Sequence, residues 1–238
     1  MEKSLSIILP AYNEAENIKK AIYDCFNFLD VLSYRHEIIV IDDGSTDNTG
    51  KILVDIAEKH SNLRVITHAK NEGYGIALRD GFKAAQSELV FFTDSDRQFA
   101  IESLSEMLPL IEMADIVIGY RLDRKDHFIR KFLSCGYNTL VSLLFDLNVK
   151  DVDCAFKLFR REVFDKITIE SKHFFINTEI LAKARLYSFN IAEIGITHYP
   201  RINGMSKVSL KYVPLTLREL FRIKKSIDRI KNEEFVLK

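Results

Sequence analysis

Thr93-Asp94-Ser95-Asp96-Arg97-Gln98 sets two carboxylates two residues apart, with a side-chain amide beyond them. These are hard oxygen ligands of the kind Mg2+ or Mn2+ takes, usually one or two carboxylates completed by phosphate oxygens. A plain turn followed by a helix N-cap would use the same residues. What weighs against the turn is the apolar run ahead of it, residues 88–92, which reads as a buried strand. Several carboxylates at the end of such a strand are costly unless a cation pairs with them. Asp42-Asp43-Gly44-Ser45-Thr46-Asp47 closes a second apolar run and offers acceptors for the N–H of a nucleobase, or else a tight acidic turn. Pro10-Ala11-Tyr12-Asn13-Glu14 closes the first run with a rigid turn, an aromatic face and a carboxylate, and a simple helix start also accounts for it.

The elements that must position these residues alternate. Strands are expected over residues 4–9, 37–41, 63–68 and 88–92. Between them lie helical patterns: Ile18, Ile22, Cys25, Phe26 and Leu29, then Ile52, Leu53 and Ile56, then residues 76–86. Asn13 is available to cap the first helix and Asp47 or Thr49 the second. Such βαβ units make a mostly parallel sheet covered on both faces, and these sheets bind ligands outside the carboxyl ends of their strands. Beyond residue 100 the alternation loosens. Helices are expected near 102–112, around Leu133–Leu144, over 178–187 and after Tyr212, with strands at 115–119, 155–159 and 191–199.

Composition narrows the function. The chain has 238 residues, 47% apolar and 29% charged, and one globular domain is the default for that length. Zero formal net charge argues against a dedicated nucleic-acid binder. It conceals an asymmetry, because residues 1–100 carry 11 basic and 16 acidic side chains and residues 201–238 carry 10 and 4. An acidic first part and a basic tail suggest a cation site early and an anionic partner late. Cys25, Cys135 and Cys154 form neither a disulfide framework nor a CxxC zinc pair. No signal peptide and no apolar run of ~18–20 residues is evident, so a cytoplasmic domain is expected. Asn71-Glu-Gly-Tyr-Gly75 is half of a dinucleotide fingerprint in the wrong place, and no GxxxxGK[ST] occurs, which disfavours NAD and P-loop chemistry.

Taken together the motifs resemble the family 2 glycosyltransferases of GT-A fold, and among them the polyprenyl-phosphate sugar transferases, the dolichyl-phosphate mannose and glucose synthases. The resemblance runs from Ser4 to Lys207. It is carried by Pro10-Ala-Tyr-Asn-Glu14, Asp42-Asp-Gly-Ser-Thr-Asp47, Asn71-x-Gly73, Asp94-x-Asp96-x-Gln98, Gly119-Tyr-Arg121, Arg130-Lys-x-x-Ser134, Cys154-Ala-Phe-Lys157, Glu179 and Arg201-x-x-Gly204-x-Ser206-Lys207.

The resemblance implies an α/β fold with a Rossmann-like central sheet, a catalytic unit over residues 1–210 and a basic amphipathic helix over 211–238. It implies that Pro10, Ala11, Tyr12, Glu14, Asp43, Asp94, Ser95, Asp96 and Arg121 meet a GDP- or UDP-hexose. Asp94, Asp96 and Gln98 would hold Mg2+ or Mn2+. Arg130, Ser134, Arg201 and Lys207 would gather on the phosphate of a polyprenyl acceptor. Asp96, Arg121 and Glu179 are the expected catalytic residues. An ionised phosphate nucleophile needs no general base, whereas a saccharide hydroxyl acceptor, the alternative, would need one. Glu179 and Asp153 are available for that, although a turn explains Asp153 and pairing with an arginine explains Glu179. A catalytically silent nucleotide-sugar binder is the reading from another class. The basic helix is expected either to lie on a membrane surface, making the protein peripheral on the inner face, or to pack on the domain and leave contact to an anchor protein.

Overall fold

The computed structural model describes residues 3–122, 128–200 and 213–236, apart from the side chains of 128–133, 213 and 234–236. Its strands are β1 (Ser4–Ala11), β2 (Arg35–Asp42), β3 (Leu63–Thr67), β4 (Leu89–Thr93), β5 (Ile116–Leu122), β6 (Phe156–Arg160) and β7 (Ile191–Thr197). They form one sheet in the order β3-β2-β1-β4-β6-β5-β7. Every pairing is parallel except those of β6, which runs against both β4 and β5.

The helices are α1 (Ile18–Leu29), α2 (Thr49–Ala57), α3 (Tyr74–Ala84), α4 (Leu104–Leu110), α5 (Phe128–Phe145), the single turn α6 (Val163–Lys166), α7 (Ile176–Leu186) and α8 (Val213–Val236). The two-residue period of β1 divides them into layers. Leu5, Ile7 and Leu9 pack with residues of α1, α2 and α4, whereas Ile8 packs with residues of α3, α5, α7 and α8. Both faces are apolar, which is why the inner strands read as continuous apolar runs.

Two expectations about element ends need correction. Asn13 does not cap α1, which begins at Ile18. Asn13 instead takes a left-handed conformation (φ 57°), and its side-chain oxygen accepts the N–H groups of Thr46 at 2.8 Å and Asp47 at 3.3 Å. It ties the turn after β1 to the turn after β2, satisfying N–H groups that those turns leave over. Nor do Asp47 or Thr49 cap α2: Asn48 stands at the N-cap, Thr49 is the first helical residue, and Asp47, one residue ahead of the cap, accepts the Thr49 N–H at 2.9 Å. Its acidity follows: burial pushes the carboxyl up, but the Thr49 hydroxyl and the surrounding N–H groups bring it below the usual range.

The apolar stripe of α8 is largely consumed by packing. Leu220, Ile223 and Ile227 are buried in the core shared with α5 and α7, while Leu217 and Phe221 stay exposed. Among the described residues no helix is long and apolar enough to cross a membrane.

Candidate active site

Parallel pairing brings the carboxyl ends of β1, β2 and β4 to one edge, where Ala11 lies opposite Asp42. Antiparallel β6 starts at that same edge, with Phe156 opposite Thr93, so residues 151–155 arrive beside the end of β4. Arg121, near the end of β5, meets them there.

The Asp94–Gln98 loop is held from several sides. The Ser95 hydroxyl donates to the Pro10 carbonyl at 2.8 Å, so Ser95 and Pro10 brace each other. The Tyr74 hydroxyl donates to Asp94 Oδ1 at 2.9 Å. Burial, then the charge of Asp94, pushes the Tyr74 phenol well up, and Asp96 and Asp153 push the same way. Asp94 is the carboxylate bonded to this buried phenol, and Asp96 and Asp153 act on it through space. Asp96 Oδ1 accepts the Gln98 N–H at 3.2 Å. The Gln98 side-chain nitrogen donates to the Tyr199 carbonyl at 3.3 Å, which turns the amide oxygen the other way. Two carboxylates and an amide oxygen make a hard donor set that fits Mg2+ or Mn2+. Among the described residues no three His, Cys, Asp or Glu side chains form a metal cluster by themselves, so further ligands would come from phosphate.

Asp43 is buried and its carboxylate organises the neighbouring loop. Oδ1 lies 2.7 Å from His68 Nδ1 and accepts the Glu72 N–H at 2.8 Å, and Oδ2 accepts the Gly73 N–H at 2.9 Å. Gly73 has φ 105°, and a Cβ there would stand 2.7 Å from the Lys172 carbonyl oxygen, so only glycine serves. Of the β1 turn, Ala11 is buried, Tyr12 is 37% exposed, and the Glu14 carboxylate accepts the Asn17 amide at 2.7 Å. Tyr12 is thus the aromatic surface presented at this edge.

Arg121 and Glu179 are both engaged with partners inside the protein. Arg121 forms a two-point pair with Asp151 beneath the edge. Burial pulls its guanidinium down, yet the bonds and charge of Asp151 raise it further, so it is a permanent cation with a committed partner. Glu179 lies in the first turn of α7, buried, and pairs with Lys183 at 2.7 Å rather than with an arginine. Its oxygens accept the N–H groups of Glu170 at 2.9 Å and Ser171 at 2.7 Å. A carboxylate so enclosed and engaged is placed to hold the 168–173 loop.

Several contributors carried little signal in the sequence. Lys157, on buried β6, donates to the carbonyls of Val152 and Cys154 and so ties down the turn bearing Asp151 and Asp153. Burial pulls its ammonium down and pushes the Cys154 thiol up to about 12, so that thiol is inert at neutral pH. His68 follows the apolar run of β3 and Tyr74 opens α3 after the polar residues 71–73, but nothing in their spacing sets them apart. Ser134 is half-buried on α5. The Arg130 side chain, Arg201 and Lys207 lie outside the described residues, so the expected acceptor cluster is represented only by Ser134.

A cavity of about 600 Å3 opens on the α1 side, lined by Asp24, Cys25, Arg97, Phe99, Glu102 and Tyr199 among others. It reaches the acidic loop through Thr93 and Asp94 but does not include Tyr12 or Asp43. The cavity thus borders the acidic loop on its α1 side.

The chain is similar to known proteins over most of its length. A dolichyl-phosphate beta-glucosyltransferase of Dictyostelium discoideum is 32% identical over 221 residues, covering 84% of this chain and 67% of its own. A dolichol-phosphate mannosyltransferase of Pyrococcus furiosus is 32% identical over 237 residues, covering 95% and 66%. Among solved structures, glucosyl-3-phosphoglycerate synthase from Mycobacterium tuberculosis in complex with phosphoglyceric acid superimposes with a TM-score of 0.70 at 20% identity, covering 94% of this chain and 80% of that one. The same enzyme with Mn2+, UDP and phosphoglyceric acid also gives 0.70 at 20% identity, covering 94% and 78%. At that identity the likeness speaks for the GT-A fold. The family model for glycosyl transferase family 2 matches residues 6–168, a span that runs from β1 through the acidic loop to β6 and its turn, and the chain is an enzyme of that family.

Proposed function

We propose that this glycosyltransferase moves a hexose, glucose or mannose, from a nucleoside diphosphate sugar to a polyprenyl phosphate, with inversion at the sugar carbon. The observation that supports the reading is that parallel β1, β2 and β4 bring the turns bearing Tyr12, Asp43 and residues 94–98 to one edge of the sheet. The relatives named for dolichyl-phosphate glucose and mannose transfer support the acceptor class. The structural relatives crystallised with UDP and Mn2+ or Mg2+ support the donor and cation classes.

In this reading Tyr12 offers its face to the base, Asp43 accepts a base N–H, and Tyr74 orients Asp94. A divalent cation held by Asp94, Asp96 and Gln98 would supply charge neutralisation for the leaving diphosphate. The Arg121–Asp151 pair fixes the floor beneath the transferred group. Arg130, Ser134, Arg201 and Lys207 are assigned to the acceptor phosphate, where arginine gives two-point contacts. A phosphate monoester has its second pKa near ~6, so it attacks already ionised and no side chain need take a proton. The internal engagement of Glu179 is consistent with that economy. Residues 1–210 would form the catalytic unit, working at the inner face of a membrane.

A saccharide hydroxyl acceptor is the second reading, and Asp153, beside Tyr74 and Tyr137, is the observation that favours it, because a hydroxyl needs a base. Transfer of labelled hexose with Mn2+ present, scored in organic-extractable lipid and in water-soluble saccharide, separates the two. Product in the lipid phase is expected, and Asp96→Ala should lose at least a hundredfold in rate while keeping its fold. Product only in saccharide would replace the acceptor assignment, and full activity of Asp96→Ala in chelator would remove the cation from the reading.

A further inference from the structure

Asp43 does not meet the nucleotide edge with a free carboxylate. An ionised carboxylate only accepts, and its two oxygens offer about four acceptor directions. Oδ1 uses two, one on the His68 ring and one on the Glu72 N–H, and Oδ2 uses one on the Gly73 N–H. The proton of the 2.7 Å contact therefore sits on His68 Nδ1. His68 is itself held from the far side, with Nε2 3.3 Å from Asp80 Oδ2, and Asp80 in turn takes Arg79 Nε at 3.3 Å. Only 5% of the Asp43 side chain reaches solvent. One acceptor direction remains, on one oxygen.

That count distinguishes between bases. Guanine presents N1–H and an adjacent N2 amino group, which bind a carboxylate best through both of its oxygens at once. Uracil presents one N–H, at N3, flanked by carbonyls. We propose that His68 is a positioning residue that sets base specificity: by filling Asp43 Oδ1 it leaves a single acceptor and selects a uridine over a guanosine diphosphate sugar. The inference rests on Asp43 meeting the base, as assigned above. It predicts that removing the imidazole frees Oδ1 and admits guanine, while a side chain that still donates at that point keeps the selection.

The test is the ratio of UDP to GDP affinity, measured by calorimetry with Mn2+ present, for wild type, His68→Ala, His68→Gln and Asp43→Asn. Wild type should prefer UDP by at least tenfold. His68→Ala should narrow that ratio by at least threefold, mainly through tighter GDP, and His68→Gln should restore most of it. A stabilising contact without influence on selection would weaken both nucleotides equally and leave the ratio alone. An unchanged ratio in folded His68→Ala overturns the proposal. So does a wild type that binds GDP as tightly as UDP, a result that needs no variant at all. Asp43→Asn separates the two levels: if it alters neither nucleotide, Asp43 does not meet the base and the underlying assignment fails instead.

Discussion

Arg121 and Asp151 stand face to face, with Nε 2.6 Å from Oδ2 and Nη2 2.8 Å from Oδ1, and both side chains are less than a tenth exposed. The pair bolts the end of β5 to the turn that leads into β6, two elements 30 residues apart in the chain. Breaking such a pair leaves one buried charge without its counterion, which costs about 3–5 kcal/mol. Asp151→Asn and Arg121→Met should each approach that loss in denaturant unfolding. The double variant should lose clearly less than the sum, because it leaves no orphaned charge. Additive losses would show that the two side chains act independently.

Glu170 clamps α8 to the domain. Its carboxylate meets Lys183 at 3.2 Å, Arg229 at 3.3 Å and the Ser226 hydroxyl, while Arg222 donates to the Glu170 carbonyl at 3.2 Å. The Ser226 bond, against a burial effect that works the other way, and the nearby Lys183 and Arg229 charges lower the carboxyl from 4.5 to about 2. A carboxyl depressed on folding contributes stability that is full above its unfolded pKa and is lost as pH falls toward the folded one. Glu170→Gln should therefore lower Tm at pH 7, and the gap to wild type should close as pH drops from about 4.5 toward 2. A gap that is constant with pH would assign the effect to packing rather than to charge.

Two glycines make opposite predictions. A Cβ at Gly75 would stand 2.6 Å from the Ser171 carbonyl oxygen and 2.7 Å from that of His173, both backbone. Gly75→Ala should cost about 1–3 kcal/mol and loosen the Gly75 N–H bond to the Lys172 carbonyl. Gly136, in α5, has nothing within 4 Å of its Cβ position, so Gly136→Ala should stabilise by about 0.5–1 kcal/mol. Thermal melts of the two variants check both signs.

Membrane contact, if α8 makes it, must use what packing leaves over. Arg222 and Arg229 are engaged with the 170–171 segment, so removing them would test the clamp and not a lipid surface. Leu217 and Phe221, the latter 67% exposed, flank Arg218 and lie four residues apart on one helical face. Leu217→Ser with Phe221→Ser should cut flotation on anionic vesicles by at least tenfold, since full burial of each such side chain is worth about 1.5–3 kcal/mol. Tm should hold within a degree or two. Unchanged flotation would move the membrane contact to another surface or to an anchor protein.

The sequence by itself determined the alternation of strands and helices, because buried strands must be apolar and covering helices must be amphipathic at their own period. It also determined where Asp43, Asp94 and Asp96 would stand, since a strand's end in a parallel sheet is a fixed edge. The direction of β6 was hidden: a strand buried on both faces has the same composition whichever way it runs. That direction alone brings Asp151, Asp153 and Lys157 to the site. Glu179 and the stripe of α8 were equally ambiguous, because a carboxylate on a helix and an amphipathic face are patterns that solvent, substrate or protein can each satisfy. Tertiary packing decided both, giving Glu179 to the N–H groups of Glu170 and Ser171 and most of the stripe to α5 and α7. His68 shows the same division at the scale of one bond. Its place after β3 is a sequence fact, and its grip on Asp43 exists only because β2 and β3 lie side by side.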